Sequence, residues 1–277
     1  MRSPTSPSER RRSLLRVGGL IAAAGLAGCR ALLGEQLTER RDLTADPAGA
    51  GSVTVAVRNG DVRLSAGDGE AVSGTVVKRT RDGQEALDAV TVTSAVRDGT
   101  LVIEADHSAV PAGASVSVDL DLSVPASLPV TEAVSENGDV AGEGLAGDGT
   151  YRTVNGDVRA ENVGGFVTAA SENGDVTVTD PEGLDGARST NGDLEVDVPA
   201  LRGDTTCRTT NGDVTAAVSP GLDAAVTLRT ANGETSVEGV ELQDASITDS
   251  RVSGRLGEGA NALELRSVNG DVELRER

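Results

Sequence analysis

The chain has 277 residues and a formal net charge of −19 at pH 7, with one phenylalanine, one tyrosine and no tryptophan. A surface so acidic repels phosphate and anionic headgroups, which argues against nucleic acid or an anionic membrane face as a partner. One histidine and two cysteines leave little material for a metal centre or an activated nucleophile, and the near absence of aromatic rings excludes a core built on large anchors.

Residues 1–28 read as a cleaved export signal outside the fold. Arg10, Arg11 and Arg12 precede Ser13-Leu14-Leu15-Arg16, and the apolar run Val17–Ala27 is too short to span a bilayer. Arg11 and Arg12, with Ser13-Leu14-Leu15 behind them, resemble a twin-arginine signal, and Leu26-Ala27-Gly28-Cys29 resembles the lipobox of bacterial and archaeal lipoproteins. That resemblance implies that Cys29 becomes a lipidated first residue and holds the exported protein on the outer face of the cell membrane. Residues 29–51 then read as a lipid-attached tether, with one strand expected at Leu37–Ala45.

Removing residues 1–28 takes away five arginines and one glutamate, so the remainder is more acidic still. Lys78 is the one lysine, and Ala, Val, Asp, Glu, Gly and Thr dominate. This composition resembles that of proteins from extreme halophiles, whose acidic surfaces stay soluble in concentrated salt and hold monovalent cations diffusely.

From residue 52 to 132 runs rich in β-formers (Val53–Val57, Val72–Val77, Ala89–Val96, Leu101–Ala105, Val116–Val124) alternate with turn signals at Asn59-Gly60, Gly67-Asp68-Gly69, Asp82-Gly83 and Asp98-Gly99. They predict an irregular β region that caps a regular array on its C-terminal side. In that array, from 133 to 277, one phrase recurs: Asn137-Gly138-Asp139, Asn155-Gly156-Asp157, Asn173-Gly174-Asp175, Asn191-Gly192-Asp193, Asn211-Gly212-Asp213 and Asn269-Gly270-Asp271, with Asn232-Gly233-Glu234 as a variant and Asn59-Gly60-Asp61 as an early outlier. The spacing is 18 residues at first, then 20 and 21, and finally 37, as if one degenerate coil lay near Ser253-Gly254-Arg255-Leu256. The last coil then ends at a charged edge, Arg275-Glu276-Arg277.

The flanks of the phrase set the direction of the side chains. Four residues before each Asn stand Ala133, Tyr151, Ala169, Ala187, Cys207, Leu228 and Leu265; two before it stands Ser or Thr; between them Arg recurs. Three residues after Asn, Val or Leu returns, so a strand enters the corner, Gly turns it, and a second strand leaves with inward parity restored. Asn-Gly could also serve a two-residue hairpin. A hairpin series would not return the same chemical type at the same offset each time, whereas coils stacked about 4.8 Å apart would, with Ser/Thr and Asn ladders inside each corner. The expected fold is therefore all-β: a single-stranded parallel β-helix (β-solenoid) of about 18–21 residues per coil, right-handed by the usual rule for crossovers.

Alternating strands, the Val124-Pro125 segment and the repeated Ser/Thr-x-Asn-Gly-Asp-Val together resemble the β-strand-repeat family of envelope proteins called "putative adhesin". The resemblance implies a β-helical surface protein and carries over no catalytic residues.

His107, beside Asp106 and Ser108, reads as a solvated loop residue, and Cys207 in the inward column reads as core. The column Asp139, Asp157, Asp175, Asp193, Asp213, Glu234 and Asp271 would line up at one coil spacing, either as corner residues bonding their own turn or as a cation-attracting row, with the neighbouring Arg column offsetting part of its charge. No metal site and no cofactor are expected. The expected function is a non-enzymatic, lipid-anchored surface protein, adhesin-like or structural, meeting a surface glycan or protein and no nucleic acid. The alternatives are a cation-binding or sensory module and a polysaccharide-active β-helix enzyme, the latter requiring Arg152, Arg188, Arg208 and Arg229 to face a cleft with Asp.

Overall fold

Short alternating runs broken at glycine corners cannot bury an apolar face alone, so each strand here finds its partners in neighbouring coils. The computed structural model describes residues 36–277, and Arg11, Arg12 and Cys29 lie outside them. The N-terminal part runs β1 (Leu37–Ala45), β2 (Ser52–Asn59), β3 (Val62–Gly67), β4 (Val72–Thr80), a short helix α1 (Gln84–Ala89), β5 (Thr91–Arg97), β6 (Thr100–Asp106) and β7 (Val116–Pro125). Strand pairs come next, one member on each side of a corner: β8 (Val130–Asn137) and β9 (Val140–Glu143), β10 (Gly149–Arg152) and β11 (Val158–Glu161), β12 (Phe166–Ala170) and β13 (Val176–Thr179), β14 (Gly183–Arg188) and β15 (Leu194–Val198), β16 (Thr205–Arg208) and β17 (Val214–Val218), β18 (Ala224–Arg229) and β19 (Thr235–Glu238). A hairpin, β20 (Gln243–Thr248) with β21 (Arg251–Leu256), precedes the last pair, β22 (Asn261–Arg266) and β23 (Val272–Glu276).

Two long sheets face each other, one ordered β1-β4-β7-β3-β9-β11-β13-β15-β17-β23-β19 and the other β20-β21-β18-β22-β16-β14-β12-β10-β8-β2-β6-β5. The coils stack in parallel, as in Val158 against Val140 on one side and Val176 on the other. The fold is the expected β-solenoid. Inward residues of both sheets fill the space between them: Val140, Val158, Val176, Leu194 and Val214 on one wall, Ala133, Tyr151, Ala169, Ala187 and Cys207 on the other, none more than 3 % exposed.

Spatial order departs from chain order at both ends. The coil of β22 and β23 lies between the coil of β16 and β17 and that of β18 and β19, so Cys207 pairs with Leu265 and Leu265 with Leu228. At the other end the coil of β2 and β3 sits between that of β8 and β9 and the outer layer of β6 and β7. Ser253-Gly254-Arg255-Leu256 is therefore no degenerate corner; it belongs to β21, antiparallel to β18. Nor is the C-terminus an open edge, because β23 is paired on both sides and Arg277 reaches Asp180 and, at 3.3 Å, Asp197.

Antiparallel strands close the stack: β4 and β1 on one sheet and β5 on the other at the N-terminal end, β21 and β20 at the C-terminal end. The strand expected at Leu37–Ala45 is β1, and its nine-residue pairing with β4 makes those residues part of the sheet rather than free spacer. The run expected as a strand from Ala89 begins instead with α1, whose Ala86 and Leu87 are buried beside Val90.

Candidate functional site

Three hydrogen-bond ladders run through the corners. Each Ser or Thr hydroxyl donates to the glycine carbonyl of the adjacent coil, from Ser135 on Gly60 to Thr230 on Gly270, at 2.7–2.9 Å. Each Asn Nδ2 donates to the next Asn Oδ1, from Asn137 on Asn59 to Asn232 on Asn269, at 2.7–2.9 Å. The acids do not bond their own turns: Asp139 Oδ1 accepts the N–H of Asp157, Asp157 that of Asp175, and so on through Asp193, Asp213 and Asp271 to the N–H of Glu234. The same ladder extends back through Asp61 to Asp119. In each case a corner amide that would otherwise lose its partner is satisfied by a charge-assisted bond. Glycine fits between because φ at Gly174 is +151° and a Cβ there would lie 2.0 Å from the Gly156 carbonyl oxygen.

The Arg column does not offset this acidic row. Among the described residues Arg63 pairs with Asp61 and Arg79 with Asp119, but the arginines before the corners face the other way. They line a groove of about 580 Å³ that runs across the coils beside the corner, walled by Arg152, Arg188, Arg208 and Arg266, by Thr190 and Thr210, by Glu132 and Glu136 at one end and by Glu172 in the coil next to that of Arg188. Arg229 is outside this lining, and the groove's carboxylates are Glu rather than the Asp that a hydrolytic cleft was expected to need. Among the described residues no group of three or more His, Cys, Asp or Glu is placed to hold a metal ion.

The sequence pattern of the Toastrack DUF4097 family matches residues 43–275, a span that runs from within β1 through all the coils to β23. The chain belongs to the Toastrack DUF4097 family. Comparison with curated proteins returns no match. Among solved structures the chain is similar to a "putative adhesin" of Bacteroides fragilis, at 15 % identity over 88 % of this chain and 99 % of that one, with a TM-score of 0.49. It is similar also to a "putative lipid binding protein" of Parabacteroides distasonis, at 12 % identity over 85 % and 96 % with a TM-score of 0.42. A "putative adhesin" of the same species matches at 15 % identity over 87 % and 98 %, with a TM-score of 0.39.

Several other polar residues of this Toastrack chain make contacts within the fold. His107 is buried, not solvated, with Nδ1 3.1 Å from the Ala105 carbonyl and Nε2 3.3 Å from that of Val116, so the ring ties β6 to β7. Cys207 is fully buried, and that burial pushes its thiol up to about 12, which leaves it protonated and unreactive at neutral pH. Lys78 is 6 % exposed; desolvation lowers its pKa, Glu39 at 3.9 Å opposes the shift, and its Nζ donates to the Val90 carbonyl at 2.6 Å. The six residues between β15 and β16 carry Arg202 back across the coils, over the Phe166 ring at 4.4 Å and onto Asp148 and Asp185. Hydrogen bonding from the Phe166 amide and then Arg202 holds the Asp148 carboxyl below its ordinary value. No helix among the described residues is long and apolar enough to cross a membrane.

The repeat pointed to the Asn and Ser/Thr ladders, but not to the bond that each corner Asp accepts from the amide of the adjacent coil. Asp119, Arg251 and the place of Arg266 between Arg208 and Arg229 escaped it. None carries the phrase in the right chain order, and only the pairing of β7, β21 and β22 brings them into line.

Proposed function

We propose that the protein is a non-enzymatic surface scaffold, lipid-anchored through Cys29, whose outward columns meet a glycan or protein of the envelope. What carries this reading is the use made of the repeated polar residues: the Asn, Asp and Ser/Thr of every corner are engaged with the neighbouring coil. The chemistry of the repeat is thus consumed by stacking, and the groove beside it is what the coil array presents to solvent. The lipobox-like Leu26-Ala27-Gly28-Cys29 supports the anchor, and the family's match over residues 43–275 is compatible with an exported solenoid. The acidic composition supports a salt-adapted surface that gathers monovalent cations diffusely.

The test is protease shaving of intact cells that express the full chain, together with Cys29→Ser. The wild-type protein should be cleaved from outside, fractionate with membranes and carry the added mass of a lipid, and the variant should lose both mass and membrane association. A protein protected from external protease, or a variant indistinguishable from wild type, sinks the reading.

A further inference from the structure

Strand pairing places five arginines side by side in consecutive strands: Arg188 opposite Arg208, Arg208 opposite Arg266, Arg266 opposite Arg229, and Arg229 opposite Arg251. All five are exposed, at the inter-strand spacing of about 4.8 Å. Like charges directly opposite one another in a sheet repel and destabilise it. Yet among the described residues no carboxylate lies within ion-pair distance of Arg188, Arg208, Arg266 or Arg251, and Arg229 has only Glu264, at 4.0 Å. In a chain with 44 acidic residues against 25 basic ones, a row of five arginines with one carboxylate in ion-pair distance is an unusual concentration. The insertion of β22 between β16 and β18 lengthens it, because Arg266 takes its place in register between Arg208 and Arg229.

We propose that this row is a docking track for an extended acidic polysaccharide bearing one carboxylate or sulfate on successive sugars, an inference that rests on the surface reading. A guanidinium donates two parallel hydrogen bonds to such a group. The exposed hydroxyls of Thr190, Thr206 and Thr210 beside the row match the hydroxyls of a sugar polymer. Nucleic acid fits less well: single strands are held by stacking on aromatic rings. Of the two rings here, Tyr151 is fully buried and Phe166 is covered by Arg202. A bilayer fits less well too, because Glu132, Glu136 and Glu172 wall the half of the groove before Arg188 and would face its anionic headgroups. The same glutamates set a direction, so the acidic polymer lies over the arginines and ends short of Glu172.

The experiment titrates the purified full chain with polygalacturonate, neutral dextran, single-stranded DNA and phosphatidylglycerol vesicles at about 0.15 M salt, where exposed charges more than about 8 Å apart are screened. Polygalacturonate should bind and dextran should not. Arg188→Gln/Arg208→Gln/Arg266→Gln should weaken binding by about ten-fold or more. The charge-matched Arg63→Gln/Arg97→Gln/Arg159→Gln should change it by less than about two-fold. On wild-type protein, bound polymer should protect Arg188, Arg208 and Arg266 from phenylglyoxal, a readout that needs no variant to fold. No binding of polygalacturonate, equal loss in the two triple variants, absence of protection, or tighter binding to DNA or vesicles would each overturn the proposal. Shaving separates the two ideas: an externally cleaved protein that ignores the polymer refutes the track alone, and a polymer-binding protein shielded from protease refutes the surface reading alone.

Discussion

Gly174 shows how little freedom the corner leaves a single residue. Its φ of +151° and the 2.0 Å approach of a virtual Cβ to the Gly156 oxygen act together, so Gly174→Ala must both strain the backbone and push two coils apart. We expect a loss of about 2 kcal/mol or more in denaturant unfolding; a variant as stable as wild type would mean that the coils are less closely stacked at this corner. Tyr151 is the opposite case. Its ring fills the inward column where Gly142 and Gly149 leave room, but its buried hydroxyl has no hydrogen-bond partner among the described residues, and burial alone raises its pKa. Tyr151→Phe removes an unsatisfied polar atom and should leave stability unchanged or raise it by about 1–2 kcal/mol. A clear loss would reveal a partner for the phenol. The sequence made the inward and outward positions legible, since the columns at −4, −2 and +3 repeat often enough to expose their parity. It did not reveal what Asp157 bonds, because the amide concerned belongs to Asp175, 18 residues on, and a repeat phrase names the residue without naming its neighbour.

Among the elements, the order of the coils is what sequence reading missed. Identical corners stack equally well on either neighbour, so the repeat says that β22 and β23 form a coil without saying between which coils it lies. The gap of 37 residues was ambiguous for a physical reason: the alternation in Arg251–Leu256 serves an antiparallel hairpin strand as well as a coil strand. Layer order is testable by cross-linking. Thr215 pairs with Glu273, and Glu273 with Ser236, so Thr215 and Ser236 are separated by an inserted strand. In a Cys29→Ser/Cys207→Ala background, Thr215→Cys/Glu273→Cys should oxidise to an intramolecular disulfide, because adjacent Cα atoms lie within the required range of about 4.4–6.8 Å. Thr215→Cys/Ser236→Cys should not, since two strand spacings of about 4.8 Å exceed that reach. The reverse result would restore stacking in chain order, with Arg208 beside Arg229 rather than beside Arg266. The intercalated layers are also held from both sides, since neither β2 with β3 nor β22 with β23 can peel away as a terminal layer without opening two interfaces.

At the scale of the whole molecule, the charge set by composition and the ladders set by stacking pull against each other. The acids from Asp119 and Asp61 through Asp139 to Asp271 each satisfy a neighbouring amide, so none can leave without cost, yet at about 4.8 Å they repel along the full length of one corner. At 0.01 M salt the Debye length of about 30 Å lets every carboxylate feel several others, and at 0.1 M it falls to about 10 Å. Sodium or potassium chloride should therefore raise the melting temperature gradually, without a saturating step. Calcium, added against a monovalent background, should produce no further saturable rise, because a dedicated site stabilises by mass action and then levels off. Asp157→Asn/Asp175→Asn/Asp193→Asn isolates the charge from the hydrogen bond: an amide Oδ1 still accepts the adjacent N–H, so the ladder persists while three negative charges go. That variant should fold, melt higher than wild type at low salt, and converge on it as salt rises. A triple variant that fails to fold in any salt would show that the ionised carboxylate itself is needed at the corner. A calcium-induced rise that saturates in wild type and vanishes in the variant would turn the column from a stacking device into a cation site, and would make the stability of this solenoid depend on a specific ion rather than on the screening of its own charge.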